Sequence, residues 1–287
     1  MFPAAFEYHA PTTLEEALEL LWRNPEAKVL AGGHSLIPAM KLRLATPPAL
    51  VDLRRIPGLS GIRLEGDRLV IGAMTTYYDV QTSDLVRQHV PVLAEATDVV
   101  GDLQVRNWGT VGGSLAHSDP AGDYPAIMLA LGAEIRARGP QGERTIPIDE
   151  FFVGMFATAL QPGEVLTEVR VPVMGPGTGA AYVKFPHPAS RYAVVGVCAV
   201  VTRADNVCRQ ARIAVTGATL HATRATAAEQ ALQGQPLNPD TIRSAAERAP
   251  EGLTIVGDRV FASEEYRTHL LRVLTRRALQ AAVEKIR

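Results

Sequence analysis

The stretch Lys28-Val29-Leu30-Ala31-Gly32-Gly33-His34-Ser35-Leu36-Ile37-Pro38-Ala39-Met40-Lys41-Leu42 decides how this chain is read. Apolar Val29, Leu30 and Ala31 run into paired glycines. A small hydroxyl residue follows, and then Leu36, Ile37, Met40 and Leu42 recur at helical spacing. That order predicts a strand, a tight loop and a helix. Two successive glycines permit φ > 0 and let the backbone approach a ligand with no Cβ in the way. Successive N–H groups where a loop enters a helix form an anion-binding concavity. Taken alone, the segment reads as a plain turn or as a phosphate cradle.

A second segment repeats the pattern. Thr110-Val111-Gly112-Gly113-Ser114-Leu115 again joins two glycines to hydroxyl residues, and Ala116-His117-Ser118-Asp119-Pro120-Ala121-Gly122-Asp123 follows. Two phosphate-sized loops suit a pyrophosphate better than one phosphate. Neither has the Gly-x-Gly-x-x-Gly spacing of a dinucleotide-binding Rossmann turn or the Gly-Lys-Ser/Thr of a P-loop.

With Arg43-Leu44-Ala45, these two motifs closely resemble those of the FAD-binding medium subunit of molybdenum hydroxylases, the group of aerobic carbon monoxide dehydrogenase and bacterial xanthine dehydrogenases. The resemblance runs from Phe6-Glu7-Tyr8 to Tyr266-Arg267 and Leu270. It implies an α+β fold: a PCMH-type FAD-binding domain of two small α/β subdomains, then a C-terminal domain with a three-stranded antiparallel sheet and helices. It implies FAD contacts at Leu30, Ala31, Gly32, Gly33, His34, Ser35, Leu36, Gly101, Thr110, Val111, Gly112, Gly113, Ser114, His117, Asp123, Leu166, Lys184 and Tyr192. Asp123 is expected by the FAD ribose, Leu166 as a backbone contact, and Lys184 and Tyr192 near the flavin, with Tyr192 at the isoalloxazine ring. One departure is visible: in Lys184-Phe185-Pro186-His187-Pro188-Ala189-Ser190-Arg191-Tyr192, prolines and a histidine stand in a basic region of the family, and Arg191 replaces an aspartate.

The function so implied is electron transfer. A large molybdopterin-binding partner oxidises the substrate, a small partner with two [2Fe–2S] clusters relays electrons, and FAD on this chain passes them to an external acceptor. A dimer of heterotrimers is the expected assembly. A self-sufficient flavin oxidase and a non-catalytic nucleotide-binding module are the alternatives. The residues themselves show no Gly-x-Ser-x-Gly, and the seven histidines are scattered. His117 and Asp119 have no third ligand at metal-binding spacing.

The bulk of the chain fits this reading. Its 287 residues exceed the usual single core, so two domains are expected. A net charge of −1 leaves no electrostatic footprint for nucleic acid. Val194 to Val201 is the most apolar run and is far too short to span a bilayer. Met1-Phe2-Pro3 opens without a basic region, and a cytoplasmic protein is expected. Cys198 and Cys208 are the only cysteines, too few for an iron–sulfur cluster, and read as structural thiols.

Along the chain, Pro11 to Leu21 carries a capping signature and reads as a helix, and Ala49 to Leu53 as a strand. Arg43 reads as a phosphate neutraliser or a surface ion pair. Hairpins are expected around Glu65-Gly66-Asp67 and Gly139-Pro140-Gln141-Gly142. Thr75-Thr76 caps a helix, another runs from Val92 towards Val99 with Gly101 at its C-terminal end, and Asp123 reads as the N-cap of the apolar helix that follows. The connector Pro172 to Gly179 marks the boundary, giving domains 1–174 and 175–287. Beyond it lie three strands and three helices, the last from Ser263 to Ile286 with an apolar stripe of Leu270, Val273, Leu274, Ala278 and Ala281.

Overall fold

The computed structural model describes residues 1–286. The chain opens with β1 (Glu7–His9), α1 (Leu14–Arg23), β2 (Lys28–Leu30), α2 (Leu36–Lys41) and β3 (Ala49–Asp52). Thr13 caps α1 by accepting the Glu16 N–H, and the helix buries Ala17 and Leu21. The three strands form a parallel sheet in the order β1-β3-β2, with Leu30 opposite Asp52. Because the strands are parallel, the first glycine motif leaves β2 at the carboxyl end of the sheet. In open α/β sheets that end is where ligands bind.

Next come the hairpin β4 (Ile62–Glu65) and β5 (Arg68–Gly72), and then six helices: α3 (Tyr77–Thr82), α4 (Asp84–His89), α5 (Pro91–Thr97), α6 (Leu103–Trp108), α7 (Val111–His117) and α8 (Asp123–Leu131). Thr76 and Asp79 make a reciprocal capping box on α3. The chain continues through β6 (Glu134–Gly139), β7 (Gly142–Pro147), β8 (Phe152–Gly154), β9 (Ala157–Thr158) and β10 (Val165–Pro172). A five-stranded sheet results, in the order β4-β5-β10-β6-β7, with β10 antiparallel to both neighbours.

Two expectations are corrected here. α5 stops at Thr97, and turn hydrogen bonds carry the chain through Val99 and Val100 before Gly101 takes φ +51°, so this glycine lies beyond the helix end. The second glycine segment is the first turn of α7 rather than a loop, because Thr110 caps it and accepts the Gly113 N–H at 3.1 Å.

The last part of the chain contains β11 (Thr178–Pro186), β12 (Ala193–Ala204), β13 (Val207–Thr216), β14 (Thr223–Arg224), α9 (Thr226–Leu232), α10 (Pro239–Glu247) and α11 (Glu264–Glu284). The three long antiparallel strands are those read from the sequence, and the two-residue β14 adds a fourth. Alternation along β11 sends Ala180 and Tyr182 to the core shared with α8, and Ala181, Val183 and Phe185 to the core shared with α9 to α11. The buried face of α11 is rotated from the expected stripe: Leu271, Thr275, Leu279 and Ala282 are buried with Leu270, Leu274 and Ala278, whereas Val273 and Ala281 are only partly covered.

All nine residues of α8 are buried. A helix apolar on every face needs cover on every face, and its core joins residues of the five-stranded sheet (Ile71, Ile135, Val169) to Cys198 and Ala214 of the C-terminal sheet. Both ends of α8 are tied to β13. Thr216 Oγ1 donates to the carbonyls of Pro120 and Gly122, and Arg212 donates to those of Leu129 and Ala130.

Candidate functional site

The first glycine segment is a tight loop. Gly33 has φ +74°, which suits glycine, and Ile37 N–H returns to the Gly33 carbonyl as α2 begins. Ser35 occupies the N-cap position without bonding the helix through its side chain. Among the described residues, nothing accepts a hydrogen bond from the amides of Gly32, Gly33, His34 or Ser35. Four successive free N–H groups at the carboxyl end of a parallel sheet form a nest for an anion.

The second segment packs directly against the first. A Cβ on Gly113 would sit 3.3 Å from Ala31 Cβ, and one on Gly32 would collide with the Trp108 carbonyl, so glycine at both places lets the two segments touch. Its amides are already used: Val111 N–H donates to Thr75 O, Gly112 N–H to Ala73 O, Gly113 N–H to Thr110 Oγ1 and Ser114 N–H to Thr110 O. The second cradle of free amides expected from the sequence is therefore absent. This segment offers a small surface and the Ser114 side chain, which lies near the buried Tyr77.

Beside these segments lies a buried ion pair. Gly122, not Asp123, is the N-cap of α8. Asp123 is the first helical residue, and its carboxylate accepts from Lys184 Nζ at 2.9 and 3.0 Å and from the Tyr182 hydroxyl. Burial pushes the Asp123 carboxyl above its ordinary range, while the Lys184 charge and the two hydrogen bonds pull the other way. Tyr192, still 41 % exposed, lies near Ser35, Asp119 and Asp123, and burial raises its phenol above the ordinary value. The candidate cleft is thus marked out by Gly32–Ser35, Ser114 and Tyr77, Asp123 at the start of α8, Lys184 of β11, and Tyr192 just before β12.

The remaining predicted residues are placed as follows. Leu30 and Leu36 pack beneath the first loop with Met40 and Leu50, and His34 is exposed with Nδ1 3.0 Å from the Gly32 carbonyl. His117 packs against Phe156 in a tilted pair with ring centroids 5.0 Å apart, and burial lowers its imidazole below the ordinary value. Gly101 accepts from Arg191 Nη1 at 3.2 Å, so the divergent turn before Tyr192 is fastened across the cleft. Leu166 is a core residue of β10, and the structure does not bring its side chain to the cleft. Arg43 donates to the Phe2 carbonyl and makes no ion pair among the described residues. Tyr77 and Tyr182 went unnoticed in the sequence. Tyr182 had a signal, standing two residues before Lys184 in a strand and so on the same face.

Comparison with known proteins decides the family. Residues 4–174 match the family described as FAD binding domain in molybdopterin dehydrogenase, and residues 180–282 match the CO dehydrogenase flavoprotein C-terminal domain. The chain belongs to the FAD-binding medium subunits of molybdenum hydroxylases. It is 41 % identical over 283 residues to the carbon monoxide dehydrogenase medium chain of Hydrogenophaga pseudoflava, covering 98 % of both. The xanthine dehydrogenase FAD-binding subunit of Escherichia coli O157:H7 is 30 % identical, with 96 % of this chain and 95 % of that one covered. Among solved structures, carbon monoxide dehydrogenase from H. pseudoflava lacking the Mo-pyranopterin moiety superposes with a TM-score of 0.97 at 42 % identity, covering 100 % of both chains.

As a medium subunit, the chain is the flavoprotein component of an oxidoreductase. Among the described residues no group of three or more His, Cys, Asp or Glu side chains is placed to hold a metal. Cys198 and Cys208 are free and buried, and no described helix is long and apolar enough to cross a membrane.

Proposed function

We propose that this subunit binds FAD across the cleft and passes electrons from [2Fe–2S] clusters of a small partner subunit to an external acceptor, while a large molybdopterin-binding subunit oxidises the substrate. The observation that carries the site is the run of four free amides from Gly32 to Ser35. They fit the diphosphate, whose oxygens need donors and tolerate no intervening Cβ. Bound FAD supplies a carrier that exchanges electrons singly or in pairs.

The chain's own residues do the rest. Asp123 takes ribose hydroxyls, and Lys184 offsets part of the cost of burying its carboxylate. Ser114 and Tyr77 line the back of the cleft, and Tyr192 covers the front. In this reading residues 1–174 carry the diphosphate site and residues 175–287 supply Lys184 and Tyr192. The assembly is a dimer of heterotrimers.

The test is to isolate the native complex and assay flavin, iron, sulfide and molybdenum, and then to assay the separated chain with FAD alone. FAD on this chain with iron and molybdenum on its partners is the expected result. A complex without iron and molybdenum, or turnover of carbon monoxide, an aldehyde or a purine by the separated chain, would overturn it in favour of a self-sufficient flavin oxidase.

A further inference from the structure

Away from the residues already assigned, a chain of polar contacts anchored on one buried carboxylate ends on an exposed aromatic ring. Asp52, the last residue of β3 and 2 % exposed, accepts from the Tyr8 hydroxyl at 2.6 Å, from the Arg54 backbone N–H at 2.9 Å, and from Arg54 Nη2 at 2.6 Å. That fork holds the Arg54 guanidinium over the Trp108 ring, 5.6 Å from its centroid. Trp108 is 51 % exposed although its backbone is wedged against Gly32. Register fixes the neighbourhood: Asp52 lies opposite Leu30, which enters the glycine loop, so Arg54 and Trp108 stand at the same carboxyl end of the parallel sheet as the four free amides.

An aromatic residue stands by each end of the loop: Tyr192 near Ser35, and Trp108, whose backbone meets Gly32 and whose ring lies against Arg54. A dinucleotide likewise carries one ring system on each side of its diphosphate. The Tyr192 end opens on the buried Asp123–Lys184 pair between the two sheets, whereas the Trp108 end, the more exposed of the two, has Arg54 as its charged neighbour. Adenine is the ring that needs no enclosure, and every base has a π-face that stacks on an aromatic side chain.

We propose that Trp108 is the adenine platform of the dinucleotide site, with Arg54 as a positioning residue that Asp52 and Tyr8 hold behind the indole. The proposal rests on the FAD-binding reading and goes beyond it by assigning the adenine end. It makes FAD affinity depend on Trp108 in a way that FMN affinity does not.

The experiment titrates flavin into the full-length chain, together with the subunits that co-purify with it, after flavin has been stripped. Wild type, Trp108→Ala, Trp108→Phe and Arg54→Ala are each titrated with FAD and with FMN. Trp108→Ala should weaken FAD by roughly tenfold or more, Trp108→Phe should recover most of that loss, and Arg54→Ala should give a smaller loss for FAD alone. FMN affinity should be the same in all four proteins. Equal losses for FAD and FMN, or unchanged FAD affinity in Trp108→Ala, would overturn the assignment. If wild type binds neither flavin, it is the FAD reading itself that fails. A Trp108→Ala protein too unstable to titrate leaves Trp108→Phe and Arg54→Ala to decide, by the FAD-to-FMN ratio.

Discussion

Replacing Gly32 with alanine adds one methyl group where two backbone segments meet. The new Cβ would lie 2.8 Å from the Trp108 carbonyl carbon, closer still to its oxygen, and 3.1 Å from Gly109 Cα. Ordinary contact begins near 3.4 Å, so the carbonyl carbon must retreat by 0.6 Å (3.4 − 2.8) and the oxygen by more. Backbone cannot swing aside as a side chain does. Trp108 ends α6, and the next residue is held by Gly109 N–H to Val105 O at 2.7 Å and by Tyr77 N–H to Gly109 O at 2.9 Å. Overpacking typically costs about 1 to 3 kcal/mol, and backbone against backbone belongs at the upper end. At roughly 2 to 4 °C per kcal/mol for a chain of this order of size, flavin-free Gly32→Ala should melt about 5 to 10 °C below wild type. Flavin titration should show at least roughly a tenfold loss, since each charge-assisted hydrogen bond displaced is worth about 1.5 to 3 kcal/mol. Gly33→Ala is the control: its Cβ would meet only the side chains of Ile37 and Leu30, at 3.1 and 3.3 Å, and its cost is the strain of φ +74°. If Gly32→Ala melts with wild type and binds flavin equally well, the two segments are not in the contact described.

Three further outcomes are expected. Lys184→Met leaves the Asp123 carboxylate buried with only Tyr182 as partner, so denaturant titration should show a loss of about 3 to 5 kcal/mol. Burial raises the Asp52 carboxyl, but the bonds from Arg54 and Tyr8 outweigh it and leave the group below its ordinary 3.8. Its contribution is therefore full above about pH 4 and lost as pH falls further, so Asp52→Asn should flatten the acid limb of the stability profile, and an unchanged limb would contradict this. Burial pushes the Cys198 thiol up to about 12 and that of Cys208 to about 11. A thiol reagent at pH 8 should leave the native chain unlabelled and modify both cysteines only after unfolding.

Local chemistry was legible in the sequence. The cap at Thr13, the capping box at Thr76 and the start of α10 at Pro239 follow from residues a few positions apart, and the structure places them there. The strand, loop and helix around Gly32 and Gly33 needed no distant contact either. α7 was not legible, because paired glycines are poor helix formers. What makes them helical is the Thr110 cap together with close packing on Ala73, which would lie 2.5 Å from a Cβ on Gly112. Distant partners were equally hidden. Tyr182 meets Asp123 across 59 residues, and the rotation of α11 is set by the strands beneath it, not by its own spacing.

The helix α8 also bears on whether the chain can be divided. A cut at the Pro/Gly-rich connector falls between two matched families and would pass for a safe place to separate them. It would strip the C-terminal sheet from one side of a helix whose nine residues are all buried, and would free the loop before Asp123 from Thr216 and the last carbonyls from Arg212. The fragment 1–174 should therefore collect in inclusion bodies or bind hydrophobic dyes. Two matched families here make one object to the chaperone, the protease and the cloner.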